Sequence, residues 1–288
     1  DAVVYTALGE TRPVEALEQM VRFLTAGINV VGTSMVWLVT PRRADDWLRT
    51  PLEQACAAGN SSLYVNGIDP GYSGDTAVYA ALSLVTRAES VTVKEIFDYG
   101  NYDDYEYTGT AMGFGTAPGD DPPMAFLPGV ITSMFGGLVR NLAGHLGVQL
   151  DDIRERFEPW YTDRRIECVM TTVEPGRLAG VRFAVEGVRG GTPVITVEHT
   201  TRLTPAAAPD WEYPPEGQSG VHKVIVAGEP RIEVSTELSH PSLDVTDAGC
   251  VSTAARAVNA IDWVCRAPAG LVAVEDIPPT ALIRGLMW

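Results

Sequence analysis

Basic residues are scarce in this chain: 21 Lys and Arg stand against 37 Asp and Glu, a formal net charge of −16. That imbalance speaks against a nucleic-acid backbone or an anionic membrane surface as partner, and it is compatible with cationic substrates. Long apolar runs are missing too. No stretch approaches the roughly 20 apolar residues of a spanning helix, and no basic–apolar–small leader opens the chain. The four cysteines, Cys56, Cys168, Cys250 and Cys265, show neither C-x-x-C spacing nor the density of a disulfide scaffold. All four sit in apolar sequence contexts, so they read as core thiols in a reducing cytosol, with no structural zinc.

Local signatures of familiar chemistry are also wanting. A G-x-G-x-x-G fingerprint should follow a strand and open a helix. Gly113-Phe114-Gly115 does neither. There is no H-E-x-x-H, no Walker loop and no G-x-S-x-G. No metal is expected, and nucleophilic hydrolysis has no local support.

What remains is a globular composition, 45% hydrophobic and 20% charged over 288 residues, enough for one large or two ordinary domains. The chain opens at Asp1 directly on an apolar run, residues 2–6 (AVVYT), and reads as one that enters partway into a fold. Helical spacing follows in Val14, Leu17, Val21 and Leu24, with Pro13 suited to the first turn. Residues 28–34 (INVVGTS) form a second strand. Thr50-Pro51-Leu52-Glu53 has the form of a capping box that starts a helix ending near Gly59, and residues 63–65 make a third strand. Strands alternating with helices through short loops imply a parallel sheet.

The stretch 63–76, LYVNGIDPGYSGDT, marks the change of fold. After a helix from Asp75 the period becomes two, predicting strands at 91–99, 165–174, 177–188, 193–203, 221–227 and 231–238, a mostly antiparallel meander. Residues 100–162 read as an insertion with a helical piece near 134–146, and residues 252–265 return to helical spacing. The expected fold class is α/β: a partial Rossmann-like parallel sheet plus an α+β substrate domain. The expected boundaries are 1–74, 75–250, and 251–288 returning to the nucleotide domain. Apolar residues on both faces of the meander strands (Phe183 and Val185 against Ala184 and Val188) predict helices on one face and an oligomer contact on the other.

Candidate sites follow from this layout. Ligands bind in open α/β sheets at the carboxyl ends of strands, here Ala7-Leu8-Gly9, Gly32-Thr33-Ser34 and the 69–74 loop. Small residues there let a flat ring or a pyrophosphate lie against backbone; ordinary tight βα turns read the same way. Residues 98–107, DYGNYDDYEY, combine four carboxylates with four tyrosines, suited either to receiving an ammonium or to a solvated acidic loop. On strand 194–203, alternation places Ile195, Val197, His199 and Leu203 on one face. A histidine there is a hydrogen-bonded core residue or, if a cleft opens, a proton-transfer group.

Taken together, ALGETRPVEAL, GTS and NGIDPGYSGD at successive strand ends, then VEHTTRL, APDW and STAARAVNAIDWVCRAPAGLV, resemble the dihydrodipicolinate reductase-like oxidoreductases. The nearest resemblance is to the actinobacterial members and the 2,4-diaminopentanoate dehydrogenases. The similarity covers nearly the whole chain. Two departures stand out: the glycine-rich first βαβ unit of that family is not in this sequence, and its His-His-x-His-Lys cluster corresponds here to residues 98–102, DYGNY. The resemblance therefore does not imply reduction of dihydrodipicolinate itself. It implies an enzyme using NADP or NAD on a C–N or C=N bond of a small amine or imine, cytoplasmic and homo-oligomeric. It places the cofactor near Thr6, Ala7, Gly9, Gly32, Thr33, Ser34, Asp69 and Gly71, and names His199, Tyr99 and Asp98 as candidate catalytic residues. The alternative from another class is a non-catalytic ligand-binding or oligomeric Rossmann-like protein.

Overall fold

The structure is a computed structural model that describes residues 1–283 and Gly285. It divides into two compact units, Asp1–Thr76 with Cys250–Trp288, and Ala77–Gly249. No helix among the described residues is long and apolar enough to cross a membrane.

The first unit is built on a parallel sheet. Strands β1 (Ala2–Tyr5), β2 (Asn29–Gly32) and β3 (Ser62–Val65) pair in that order, and a short last strand at Gly270–Leu271 adds beside β3. Helix α1 (Pro13–Thr25) links β1 to β2, and α2 (Asp46–Gly59) precedes β3. The two helices pack on each other so closely that a Cβ on Gly59 would lie 1.9 Å from the Leu24 carbonyl oxygen; only glycine allows that approach. Val30 and Val31 on β2 are both fully buried, as a parallel strand covered on two faces requires. On one side Val31 and Tyr64 pack with Ala260, Val264, Val272 and Ile277.

Helix α2 corrects one expectation. It starts at Asp46, so Thr50-Pro51 lies inside it and caps nothing. Leu48, Leu52, Ala55 and Cys56 recur at helical spacing and are all buried, and their packing outweighs the hydrogen bond that Pro51 cannot give. The helix stops at Asn60 in the left-handed conformation (φ 50°), a role asparagine shares with glycine.

In the second unit, α3 (Thr76–Leu82) leads into a six-stranded sheet. Its members are β4 (Arg87–Asp98), β5 (Asp152–Tyr161), β8 (Leu178–Arg189), β9 (Thr192–Arg202), β10 (Gly220–Glu229) and β11 (Ile232–Thr236), in spatial order β11-β10-β4-β9-β8-β5. All neighbours are antiparallel except β4 and β9. The strand expected at 165–174 is instead a hairpin of two-residue strands, β6 (Ile166–Glu167) and β7 (Thr172–Val173). The sixth member of the sheet is β5, inside the stretch expected as an insertion. As an edge strand it carries charges on exposed positions and a proline, which blunt an open edge and remove any apolar run from the sequence.

Helix α4 (Val130–His145) covers one face of this sheet through Phe135, whose ring lies 5.9 Å from Phe183 and 4.6 Å from His199. The other face is not the apolar contact expected. Arg156 meets Glu198 at 2.6 Å and Glu186 at 3.3 Å, Lys94 meets Glu198 at 3.4 Å, and Lys94 and Lys223 hold Glu212 at 2.7 and 2.6 Å. Lys94 of β4 and Glu198 of β9 stand at the middle of this ion-pair ladder. The last helix, α5 (Val245–Val264), also begins earlier than the expected 252, where Asp244 accepts the Asp247 N–H at 2.9 Å. Two cysteine expectations fail as well: Cys56 is buried, its thiol pushed up to about 11 by burial, and Cys168 is half-buried, but Cys250 and Cys265 are exposed.

Candidate functional site

At the carboxyl ends of β1 and β2 two loops are tied together by one side chain. Glu10 accepts the Gly9 N–H at 3.1 Å and, from the other loop, the Val36 N–H at 2.9 Å. No Lys or Arg pairs with it among the described residues. The Thr33 N–H reaches back to the Tyr5 carbonyl at 3.2 Å, and the Asn66 N–H to the Gly32 carbonyl at 3.0 Å, so the three strand ends hold one another in register. Gly9 lies against the Ser34 side chain. Ser34 is 4% exposed, yet its hydroxyl has no hydrogen-bond partner. Met35 follows in the left-handed conformation (φ 65°, ψ 65°) with its side chain fully buried. A buried orphan hydroxyl and a strained backbone side by side are features that functional sites tolerate and ordinary turns avoid.

The third strand end is held from α5. Arg256 Nε donates to Asn66 Oδ1 at 2.9 Å, and its Nη2 reaches Asp75 Oδ1 at 3.3 Å and Thr76 Oγ1 at 3.1 Å. Asn66 Nδ2 donates to Asp75 Oδ2 at 2.8 Å, which closes a ring of three side chains, with Thr76 hanging from Arg256. Inside the turn Ser73 Oγ donates to Asp69 Oδ1 at 2.5 Å. Gly71 has φ 147°, and a Cβ there would fall 2.7 Å from Asn66 Oδ1, so both backbone and space demand glycine. Of the expected cofactor residues, Gly9, Gly32, Ser34 and Gly71 are buried, Ala7, Thr33 and Asp69 half-buried, and Thr6 exposed. All eight lie at the carboxyl ends of the parallel strands. The sequence reading missed Glu10, Asn66 and Arg256.

The polar group of the second unit lies at its sheet's centre. Strand register aligns Phe183, His199, Glu95, His222 and Thr236 in one row across β8, β9, β4, β10 and β11. Glu95 Oε1 accepts the Tyr99 hydroxyl at 3.0 Å and lies 3.6 Å from His199 Nδ1; Oε2 lies 3.9 Å from His222 Nδ1. Burial, and then the negative charge of Glu95, push the Tyr99 phenol well above its usual range, so it stays a proton donor. His199 stacks on Phe183 at 4.6 Å, and His222 lies 5.0 Å from the Phe97 ring.

Of the three expected catalytic residues, the fold brings His199 and Tyr99 to Glu95 and sends Asp98 elsewhere. Neighbouring strand residues face opposite sides. Asp98 accepts the Gly100 N–H at 2.9 Å and the Tyr213 hydroxyl at 3.3 Å, opposite Arg202 in the register. Burial raises its pKa against those hydrogen bonds. The tyrosines of residues 98–107 also part company: Tyr99, Tyr102 and Tyr107 pack with centroids 5.1 to 6.3 Å apart, whereas Tyr105 is 59% exposed. Asp104 caps the Tyr107 N–H at 2.9 Å. The run is an aromatic cluster on a capped turn. Glu95 does carry a signal in the sequence: in Val91, Val93, Glu95, Phe97 the carboxylate occupies an apolar register position.

Comparison with known proteins points one way. Residues 131–287 match the family described as the 2,4-diaminopentanoate dehydrogenase C-terminal domain. An amine dehydrogenase of Streptomyces virginiae is 38% identical over 283 residues, spanning 96% of this chain and 77% of that protein. Among solved structures, the amine dehydrogenase from Mycobacterium smegmatis matches with a TM-score of 0.68 at 17% identity, covering 96% of this chain and 75% of that one. At that identity the likeness is one of fold.

Proposed function

This chain belongs to the 2,4-diaminopentanoate dehydrogenase family, and from that premise we propose that it is an NAD(P)-dependent amine dehydrogenase whose first unit holds the cofactor and the substrate nitrogen at the carboxyl ends of β1, β2 and β3. The observation that carries this reading is the pairing of Glu10 with Ser34: a carboxylate fixed by N–H groups from two strand-end loops, and on the second loop a buried hydroxyl lacking a partner.

The residues fit a nicotinamide. Ser34 Oγ is a polar atom that needs a partner, and Thr6, Ala7, Gly9, Gly32 and Thr33 surround it with small groups and backbone; Asp69 and Gly71 border the third strand end. When bound, the nicotinamide supplies the acceptor for the hydride that leaves the carbon bearing the nitrogen. The protein's own part is placement and proton handling. Glu10, as a carboxylate, receives the substrate ammonium, holds it by charge-assisted hydrogen bonds and takes its proton, so that the nitrogen lone pair is free as the C–H bond breaks. Its two backbone donors keep the carboxylate in place without a competing Lys or Arg. The Arg256–Asn66–Asp75 ring fixes the third loop.

The same reading makes the protein cytosolic and homo-oligomeric, the oligomer resting on family resemblance because the outer sheet face offers ion pairs instead of an apolar contact. Sedimentation at micromolar concentration tests that point. The function is tested by supplying the protein with NAD or NADP and a panel of small primary amines, following reduced nicotinamide, and by running the reverse reaction with ketones and ammonium. Turnover abolished by Glu10→Gln and weakened by Ser34→Ala is expected. Turnover indifferent to both substitutions would overturn the site.

A further inference from the structure

We propose that Met35 is the positioning residue for Glu10: its buried side chain holds its backbone in the left-handed conformation, and that backbone aims the Val36 N–H at the carboxylate. The inference rests on the proposed function for the chemistry of Glu10, and adds what keeps Glu10 in place for it.

The backbone of Met35 is the anomaly. Its φ of 65° and ψ of 65° crowd an L side chain against the following carbonyl, and glycine or asparagine takes this conformation far more readily. A loop residue with a free side chain would relax out of it. The Met35 side chain is fully buried and reaches the first loop, where a Cβ on Gly9 would lie 2.8 Å from its Sδ and 2.9 Å from its Cγ. The bare Gly9 backbone thus receives the thioether, whose flexible, unbranched chain suits an irregular gap. Relaxing the backbone would swing this side chain out of its packing, and the apolar area it buries opposes that.

The left-handed turn has a definite product. The peptide joining Met35 to Val36 uses both of its polar groups: the Met35 carbonyl accepts the Leu38 N–H at 2.8 Å, and the Val36 N–H donates to Glu10 Oε1 at 2.9 Å. In a planar trans peptide these two groups point in opposite directions. Aiming the carbonyl into the short helix Val36–Val39 therefore aims the N–H at Glu10. The orientation of that peptide plane is set by ψ of Met35. With Met35 in a right-handed or extended conformation the plane turns and the Val36 N–H leaves Glu10. The carboxylate then keeps only the Gly9 N–H of its own loop, and the tie between the two loops is gone. Met35 acts through Glu10 and needs no contact with the reacting atoms.

Two matched pairs of variants separate backbone conformation from packing. Met35→Leu and Met35→Ile are both apolar and close in volume, but branching at Cβ disfavours the left-handed region for isoleucine. Met35→Gly and Met35→Ala both remove the side chain, and only glycine enters that region without strain. Exchange of the Val36 amide hydrogen, followed by NMR on isotope-labelled protein, reads the contact with Glu10 without any turnover; amine oxidation reads its consequence. Slow Val36 exchange and near-unaltered kcat/KM are expected for Met35→Leu. Met35→Ile should lose the slow exchange and fall about tenfold in kcat/KM, the scale of a left-handed penalty. Met35→Gly should surpass Met35→Ala in both readouts although it leaves the larger void. Equal behaviour of the leucine and isoleucine variants, or an alanine variant at least as good as the glycine one, overturns the proposal and leaves Met35 as packing alone. Should one variant not fold, the other pair decides. Amine oxidation that needs Glu10 but ignores both pairs would sink this inference alone, whereas the expected Val36 exchange pattern without amine oxidation would sink the functional reading.

Discussion

On one face of the six-stranded sheet Glu95 sits between two imidazoles and a phenol, and on the other Glu186, Glu198 and Glu212 each touch Lys or Arg. The two faces share strands, length and neighbours in sequence, so the contrast comes from what each carboxylate is for. Where a carboxylate is structural, the chain supplies its own cation and closes the account locally. Where it meets only backbone N–H groups, as at Glu10 in the first unit, the proposed function leaves the compensating charge to the substrate ammonium. At Glu10 a pair of loop N–H groups orients the carboxylate without neutralising it.

The largest effect expected from breaking this contrast is at Glu10. Glu10→Gln keeps the size but removes the proton acceptor, together with one of the two backbone hydrogen bonds because its NH2 cannot accept, and general-base groups contribute typically 10²–10⁴-fold. Amine oxidation should fall in kcat/KM by about that factor, while stability falls only by the roughly 1 kcal/mol of one lost hydrogen bond. A loss under about threefold would place Glu10 among the structural carboxylates.

Next is Arg256, which belongs to the opposite class because it is paired within its own unit. Its side chain is 14% exposed and that of Asp75 2% exposed, and removing one partner of a buried pair costs about 3–5 kcal/mol. Arg256→Met should therefore lower unfolding free energy in urea by about 3 kcal/mol, and Arg256→Lys should recover little, since an ammonium cannot span Asn66, Asp75 and Thr76 together. A cost under about 1 kcal/mol would mean that the ring is dispensable.

Much of this layout was legible beforehand, for physical reasons. Apolar runs between helical spacings located β1, β2 and β3, and period two located most of the large sheet. β5 was not legible because an edge strand hides its pattern behind charge and Pro159. Of the polar residues, His199 was readable from its place among Ile195 and Val197, and Glu95 should have been from Val91, Val93 and Phe97. Asp98 beside Tyr99 was readable too, since adjacent strand residues cannot share a face. Glu10 and Ser34 could not be read: a single glutamate and a single serine in loops carry no periodic signal, and their meaning lies in contacts between Gly9, Ser34 and Val36 that only the fold creates.

A smaller effect is expected on the ladder itself. Glu198 bridges Arg156 and Lys94, but each cation keeps a second carboxylate, Glu186 or Glu212. Glu198→Gln should cost roughly 1 kcal/mol, in the range of partly solvated pairs, and leave amine oxidation unchanged. A loss of activity comparable to that of Glu10→Gln would erase the distinction between the two kinds of carboxylate.

The smallest effect is a pH dependence at Glu212. Burial alone would raise its pKa, but hydrogen bonds from Lys223 and Lys94 outweigh burial and hold it below the usual carboxylate value. A folded pKa lower than the unfolded one, about 4.3 for a glutamate, means that the unfolded chain takes up the proton first as pH falls. The stabilisation is thus fully present above about pH 4.3 and is lost as pH drops through the folded pKa. The side chain is 37% exposed, so solvent screens the pair and the contribution is under about 1 kcal/mol. Glu212→Gln should lower stability slightly at neutral pH and flatten the decline of unfolding free energy below about pH 4.3, as followed by urea titration at a series of pH values. If the variant declines as steeply as the unaltered protein, Glu212 is solvated in the folded state and Lys94 and Lys223 do not hold it; the ladder would then be a set of surface charges with no more claim to structure than the acidic loops around it.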